Sequence, residues 1–323
     1  MAEATVRTSS ADATRHSPSP QPILTGLLAF PLTPFTADLG LNLDAFASQV
    51  DSHVAAGAGA LFVACGTGEF SALSPAEVRA VLRTAKDVAG GRVPVWVGAG
   101  GGAELARAGI TAAAEDGADG VLLLPPYLVT GPPQGLVDHV RYATRDVSDG
   151  SLPVIVYHRA SAVFTPKSAI ALLDLPAVAG LKDGVGDVDL MTRIVTEVRA
   201  SDHPRAKEFL FLNGLPTAEV SARAYLSIGV TTYSSAVHCF APAVAHAFHQ
   251  ALHAGDDAVL DDLLHRFYLP LVALRDETPG FAVSLVKAGA RLRGDDVGGV
   301  RPPLIDPTAE QVERLAEIIG RVA

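Results

Sequence analysis

The chain alternates two kinds of segment. A short apolar run of strand character is followed by an alanine-rich amphipathic run, and the pair recurs eight times. The strand-like runs fall at residues 23–30, 60–64, 94–97, 120–124, 154–157, 178–182, 209–213 and 230–234. Helical periodicity fills the gaps at 43–56, 75–88, 103–116, 134–147, 166–173, 188–198 and 217–226. Ser74 before Pro75, and Asp187 before Val188, are N-cap signals. Strict alternation of this kind specifies a parallel sheet. Eight units within one stretch of chain specify a closed (β/α)₈ TIM barrel, an α/β fold, rather than an open doubly wound sheet. No Gly-x-Gly-x-x-Gly follows the first strand, which argues against dinucleotide binding. Residues 242–323 exceed what a barrel needs. They are rich in Ala and Leu and read as C-terminal helices packed on the barrel, which itself spans 22–241. Residues 1–21, rich in Ser, Ala, Thr and Pro with no apolar core, read as a disordered tail and not a signal peptide.

Barrel chemistry gathers where strands end, at the C-terminal mouth. The second strand ends in Gly66-Thr67-Gly68-Glu69 and the fifth in Tyr157-His158-Arg159. The sixth ends in Lys182-Asp183, the seventh in Asn213, and the eighth in Ser234-Ser235. Lys182 stands out among the lysines. Lys86, Lys167 and Lys207 lie among polar neighbours, and Lys287 lies in a late helical run. Only Lys182 closes an apolar strand. A lysine in a dry pocket sheds its proton readily and attacks carbonyls to form an imine. Arg159 lies two positions beyond Tyr157, so in extended chain both face one side, whereas His158 faces the other and is expected to be structural. Bland readings stand beside these. Gly66-Thr67-Gly68 also suits a tight turn, Tyr157 a core position, and Arg159 a surface ion pair.

The remaining composition narrows the function classes. A net charge of −10 opposes nucleic-acid and anionic-membrane partners. No apolar run is long enough to span a membrane. Cys65 and Cys239 form no disulfide framework and read as buried small hydrophobes, which fits a reducing cytoplasm. His246, His249 and His253 share a helix face without carboxylate companions, so no metal site is expected.

The segments Gly66-Thr67-Gly68-Glu69, Tyr157 and Gly180-Leu181-Lys182-Asp183 resemble the dihydrodipicolinate synthase/N-acetylneuraminate lyase superfamily of class I aldolases and dehydratases. Lys182 to Asp187, Asn213 to Glu219, Tyr233 to Ala236, Val283 to Gly289 and Arg301-Pro302-Pro303 are similar to its 5-dehydro-4-deoxyglucarate dehydratase branch. The resemblance implies that Lys182 forms a Schiff base and that Tyr157 relays protons. It implies substrate-carboxylate contacts from Gly66 and Thr67, and position at the barrel mouth adds Gly68, Arg159, Asn213, Ser234 and Ser235 as candidate binding residues. The implied reaction is decarboxylating dehydration of 5-dehydro-4-deoxy-D-glucarate to 2,5-dioxopentanoate, water and CO2. No cofactor or metal is implied, because the imine is the electron sink. The implied partners are a keto-diacid substrate and further copies of the chain, as a homotetramer or homodimer, with Tyr127 reaching a neighbouring subunit's site. Two departures stand out. Gly66 replaces the first of two threonines usual in the superfamily, and His158-Arg159-Ala160-Ser161 replaces an Asn-Arg-Asp-Asn stretch usual in the branch. The alternative reading is an aldolase, or a condensing synthase, on another 2-keto acid.

Overall fold

The computed structural model describes residues 24–126 and 128–322, so the expected tail and Tyr127 lie outside the described residues. Eight parallel strands close into a barrel in sequence order, β1 Leu28–Ala29, β2 Ala60–Val63, β3 Val95–Ala99, β4 Gly120–Leu123, β5 Val154–His158, β6 Val178–Asp183, β7 Leu210–Asn213 and β8 Thr232–Ser235. β1 pairs with β8 at Leu28 with Ser234 and Ala29 with Ser235, which seals the cylinder. The helices that intervene are α1 Leu43–Ala55, α2 Pro75–Ala89, α3 Ala103–Glu115, α4 Pro133–Ala143, α5 Pro166–Leu172, α6 Val188–Ala200 and α7 Ala222–Ser227. Beyond them run α8 Pro242–Ala254, α9 Asp257–Leu263, α10 Leu269–Asp276, α11 Phe281–Leu292 and α12 Ala309–Gly320. No helix among the described residues is long and apolar enough to cross a membrane.

The expected caps form. Ser74 and Glu77 make a reciprocal capping box on α2, and Asp187 accepts from Leu190 N at 2.9 Å to start α6. Strands β2 to β6 are buried at every position, as a sheet covered on both faces requires. Their inward residues fill the lumen. Phe30 stacks on Phe62 at 4.7 Å, and Phe62 on Trp96 at 5.4 Å. Each of these rings contributes about 1.5–3 kcal/mol by leaving water. Gly120 is required beside them, because a β-carbon there would stand 2.4 Å from the Trp96 ring.

Two elements differ from the sequence reading. The first strand shrinks to two residues, since Gly26 is left-handed and Pro31 has no N–H to extend the ladder. The helix expected from 217 begins later. Thr217 is left-handed at φ 53°, a 3₁₀ turn covers Ala218–Ser221, and α7 follows. The C-terminal helices share one core with the barrel: Leu27, Leu32 and Tyr233 pack in the same cluster as Phe248, Phe267 and Phe281.

Candidate active site

Parallel pairing of β5 with β6 puts Tyr157 directly beside Lys182, and His158 beside Asp183. Alternation along the strands turns the first pair inward to the mouth and the second pair outward. Lys182 is 4% exposed, and its Nζ lies 4.0 Å from the centre of the Phe30 ring and 4.7 Å from that of Tyr157. Burial pushes its amine down to about 7; the nearby Arg159 charge adds to the effect and Cys65 opposes it. The Tyr157 hydroxyl donates to Gly214 O at 2.8 Å and accepts from Arg159 Nη1 at 2.9 Å. Burial raises its pKa, and Arg159 pulls the other way. The phenol therefore keeps its proton at neutral pH, held between an acceptor and a donor.

These groups open onto a cavity of about 650 Å³, whose wall includes Phe30, Gly66, Thr67, Tyr157, Arg159, Lys182 and Ser234. Arg159 is exposed to this space, and among the described residues no carboxylate lies within ion-pair distance of it. A β-carbon on Gly66 would meet nothing within 4 Å, so the position of the missing side chain is open room.

Three residues expected at the mouth are placed elsewhere. The Gly68 backbone is buried, and its carbonyl accepts from Thr33 Oγ1 at 2.7 Å. Asn213 spends its amide on its own loop: Nδ2 donates to Ala218 O and Ser221 Oγ, and Oδ1 accepts from Leu215 N. Ser235 is fully buried and donates to Glu219 Oε1 at 2.6 Å. All three are set aside from the cavity wall. In β8 the reason is the phase of the strand, since Ser234 points in and Ser235 must point out.

His158 is structural in its contacts. It is buried, and its Nδ1 accepts from Phe164 N at 3.0 Å. Asp183 fastens the loop after Lys182 by accepting from Val185 N, Gly186 N and the Tyr225 hydroxyl. Both cysteines are buried, and burial raises their thiols to about 12. His246 of the expected histidine face contacts His238 at 3.2 Å, away from the cavity.

The sequence reading missed several wall and support residues. Arg275 of α10 and Arg301 line the cavity. Arg275 Nη1 donates to Pro216 O and Thr217 Oγ1, both at 2.9 Å. Arg301 forms a bidentate pair with Glu77. Only the Arg301-Pro302-Pro303 motif hinted at such a role; nothing local to the sequence marks Arg275.

Known proteins share this fold and much of this sequence. The model of the dihydrodipicolinate synthetase family matches residues 23–322. A protein of Streptomyces griseus subsp. griseus named "Probable 5-dehydro-4-deoxyglucarate dehydratase" is 53% identical over 295 residues, covering 91% of each chain. One of the same name from Rhizobium rhizogenes is 45% identical, covering 91% of this chain and 94% of its own. Among solved structures, dihydrodipicolinate synthase from Bacillus clausii superposes with a TM-score of 0.83 at 22% identity, covering 92% of this chain and 97% of its own. N-acetylneuraminate lyase from Mycoplasma synoviae superposes with a TM-score of 0.78 at 20% identity, covering 92% of this chain and 98% of its own, a likeness of fold. Matched along nearly its whole length, the chain belongs to the dihydrodipicolinate synthetase family, among relatives that carry the name 5-dehydro-4-deoxyglucarate dehydratase.

Proposed function

We propose that this chain is a decarboxylating hydro-lyase that converts 5-dehydro-4-deoxy-D-glucarate to 2,5-dioxopentanoate, water and CO2 through an imine on Lys182. One observation carries the reading: a desolvated lysine with its pKa near 7 is register partner to a buried tyrosine, and both face one cavity. The substrate is the one for which the relatives are named.

The chemistry follows from the groups. Neutral Lys182 attacks the ketone carbon, and loss of water gives the iminium. The iminium acidifies the neighbouring CH2. Tyr157, polarised by Arg159 on one side and Gly214 O on the other, takes that proton as its own moves, directly or through water, to the hydroxyl on the next carbon. The hydroxyl on the next carbon leaves, which extends the double bond into conjugation with the iminium. When the distal carboxylate departs as CO2, its electron pair flows into that system. Protonation and hydrolysis then release the dioxo acid and restore the amine. The backbone and hydroxyl of Gly66 and Thr67 bind the keto-acid carboxylate, Ser234 adds a hydroxyl, and the unpaired Arg159 holds the distal carboxylate until it leaves.

Borohydride reduction in the presence of keto acids, read by intact mass and peptide mapping, tests this. The expected adduct sits on Lys182 and disappears in Lys182→Ala, and the six-carbon diacid releases CO2. Adducts on Lys86 or Lys287 would overturn the assignment. Condensation products from pyruvate, with no turnover of the diacid, would shift the reading to a condensing enzyme.

A further inference from the structure

The loop after β2 is tied to the C-terminal part of the chain by a buried ion pair. Glu69 Oε1 lies 2.7 Å from Lys287 Nζ, with side chains 1% and 0% exposed. Glu69 adopts φ 56°, a left-handed conformation that a residue with a β-carbon holds only when its surroundings enforce it. Its N–H closes a turn onto Gly66 O at 3.1 Å, so the backbone at Glu69 and that at Gly66 move as one unit. Its second carboxylate oxygen accepts from Arg301 N at 3.0 Å. Lys287 of α11 also donates to Gly299 O at 2.6 Å and lies 4.1 Å from the centre of the Phe35 ring. Lys287 itself is set back from the cavity wall, whereas Glu69, Gly66 and Thr67 are on it.

A carboxylate this deeply buried cannot lose its cation without protonating or moving towards water. Any movement of Glu69 opens the turn to Gly66 and shifts Thr67. We propose that Lys287 is a positioning residue for keto-acid binding: through its pair with Glu69 it holds the Gly66 and Thr67 loop in its binding geometry. Lys287 then sets affinity for the keto-acid carboxylate without touching substrate. This rests on the reading of Lys182 and of the Gly66 and Thr67 loop given above.

Pyruvate trapping by borohydride at Lys182 tests it, because pyruvate carries only the keto-acid end. In Lys287→Met the pyruvate concentration for half-maximal trapping is expected to rise by about ten- to a hundredfold, the scale of an ångström-sized misplacement. The maximal trapped fraction should stay near that of the unsubstituted protein. Lys287→Arg, which keeps the cation, should recover most of the loss. Lys287→Met leaves one buried charge alone, so the double variant Glu69→Gln with Lys287→Met guards against simple unfolding. It should restore the thermal midpoint yet keep the raised half-saturation. Unchanged half-saturation in the folded variants, or a fall only in maximal trapping, would overturn the inference while leaving the imine reading intact. If the unsubstituted protein traps no keto acid at Lys182, the active-site reading itself fails.

Discussion

Gly214 leaves no room for a side chain beside Lys182: a β-carbon on the glycine would stand 2.3 Å from Lys182 Cε, 2.6 Å from Cγ and 2.7 Å from Asp183 O. The same glycine offers its carbonyl to the Tyr157 hydroxyl. Residue 214 therefore sets both the path of the amine and the seat of the phenol. Gly214→Ala is expected to displace the lysine stem and to abolish keto-acid trapping in a protein that still folds. Circular dichroism with borohydride trapping checks this, and normal trapping at Lys182 would show that the contact is soft.

The depressed Lys182 pKa has a kinetic signature. Below about 7 the amine is charged and cannot attack; above it the amine is neutral. With saturating pyruvate, the rate of imine capture should rise through about pH 7 and then level off. A rise continuing towards pH 10.5 would mean a hydrated lysine. The same shift has a sign in stability. Between about pH 7 and 10.5 the unfolded chain binds the proton that the native amine has lost, so stability grows with pH across that window. Lys182→Met should flatten that part of the melting-temperature profile.

Arg159 contacts the Tyr157 phenol and faces the cavity with no carboxylate partner among the described residues. Arg159→Lys keeps the charge and loses the two-pronged geometry. Binding of the six-carbon diacid should weaken by about 1.5–3 kcal/mol, the worth of a hydrogen bond to a charged group. Imine capture with pyruvate should survive. Calorimetry on Lys182→Ala backgrounds reads the first quantity without turnover. Equal losses for both ligands would place Arg159 at the keto-acid end instead.

A histidine pair gives the fold an acid limit. His53 Nδ1 and His238 Nδ1 lie 2.7 Å apart, both buried. Burial first, then the neighbouring His238 and Arg293, push His53 down to about 3; burial, His246 and Arg293 push His238 down to about 4. Unfolded histidines take up protons near pH 6.5. Between roughly pH 6.5 and 3 the unfolded chain thus binds more protons, and stability falls as acid is added. His53→Asn, which keeps a hydrogen-bonding atom near Nδ1, should make the fall of melting temperature from pH 6.5 to 4 shallower. An unchanged slope would assign the acid sensitivity to other groups.

The barrel was readable in the sequence because most strands are short apolar runs bounded by turn residues, and some helices carry their own caps, as at Ser74 and Asp187. Lys182 and Tyr157 were readable because each ends such a run. Strand phase separated Tyr157 from His158, and the structure places them on opposite sides of β5; at β8 phase was not applied, and two serines in succession were both expected at the mouth. Asn213 looked like a mouth residue because it ends a strand; its amide is instead consumed in shaping the turn into α7. Glu69 and Lys287 were invisible as a pair, since no local pattern connects a loop after β2 with a helix near the end of the chain.

The stretch that completes the cavity is made after every strand of the barrel. Ribosomal synthesis delivers Tyr157 and Lys182 before α11 and the Arg301-Pro302-Pro303 segment of the wall. A nascent chain thus carries Lys182 through much of its elongation without the chamber that α11 and the Arg301 segment complete. On the proposal made above, pairing of Glu69 with Lys287 would couple synthesis of α11 to the binding geometry of the Gly66 and Thr67 loop.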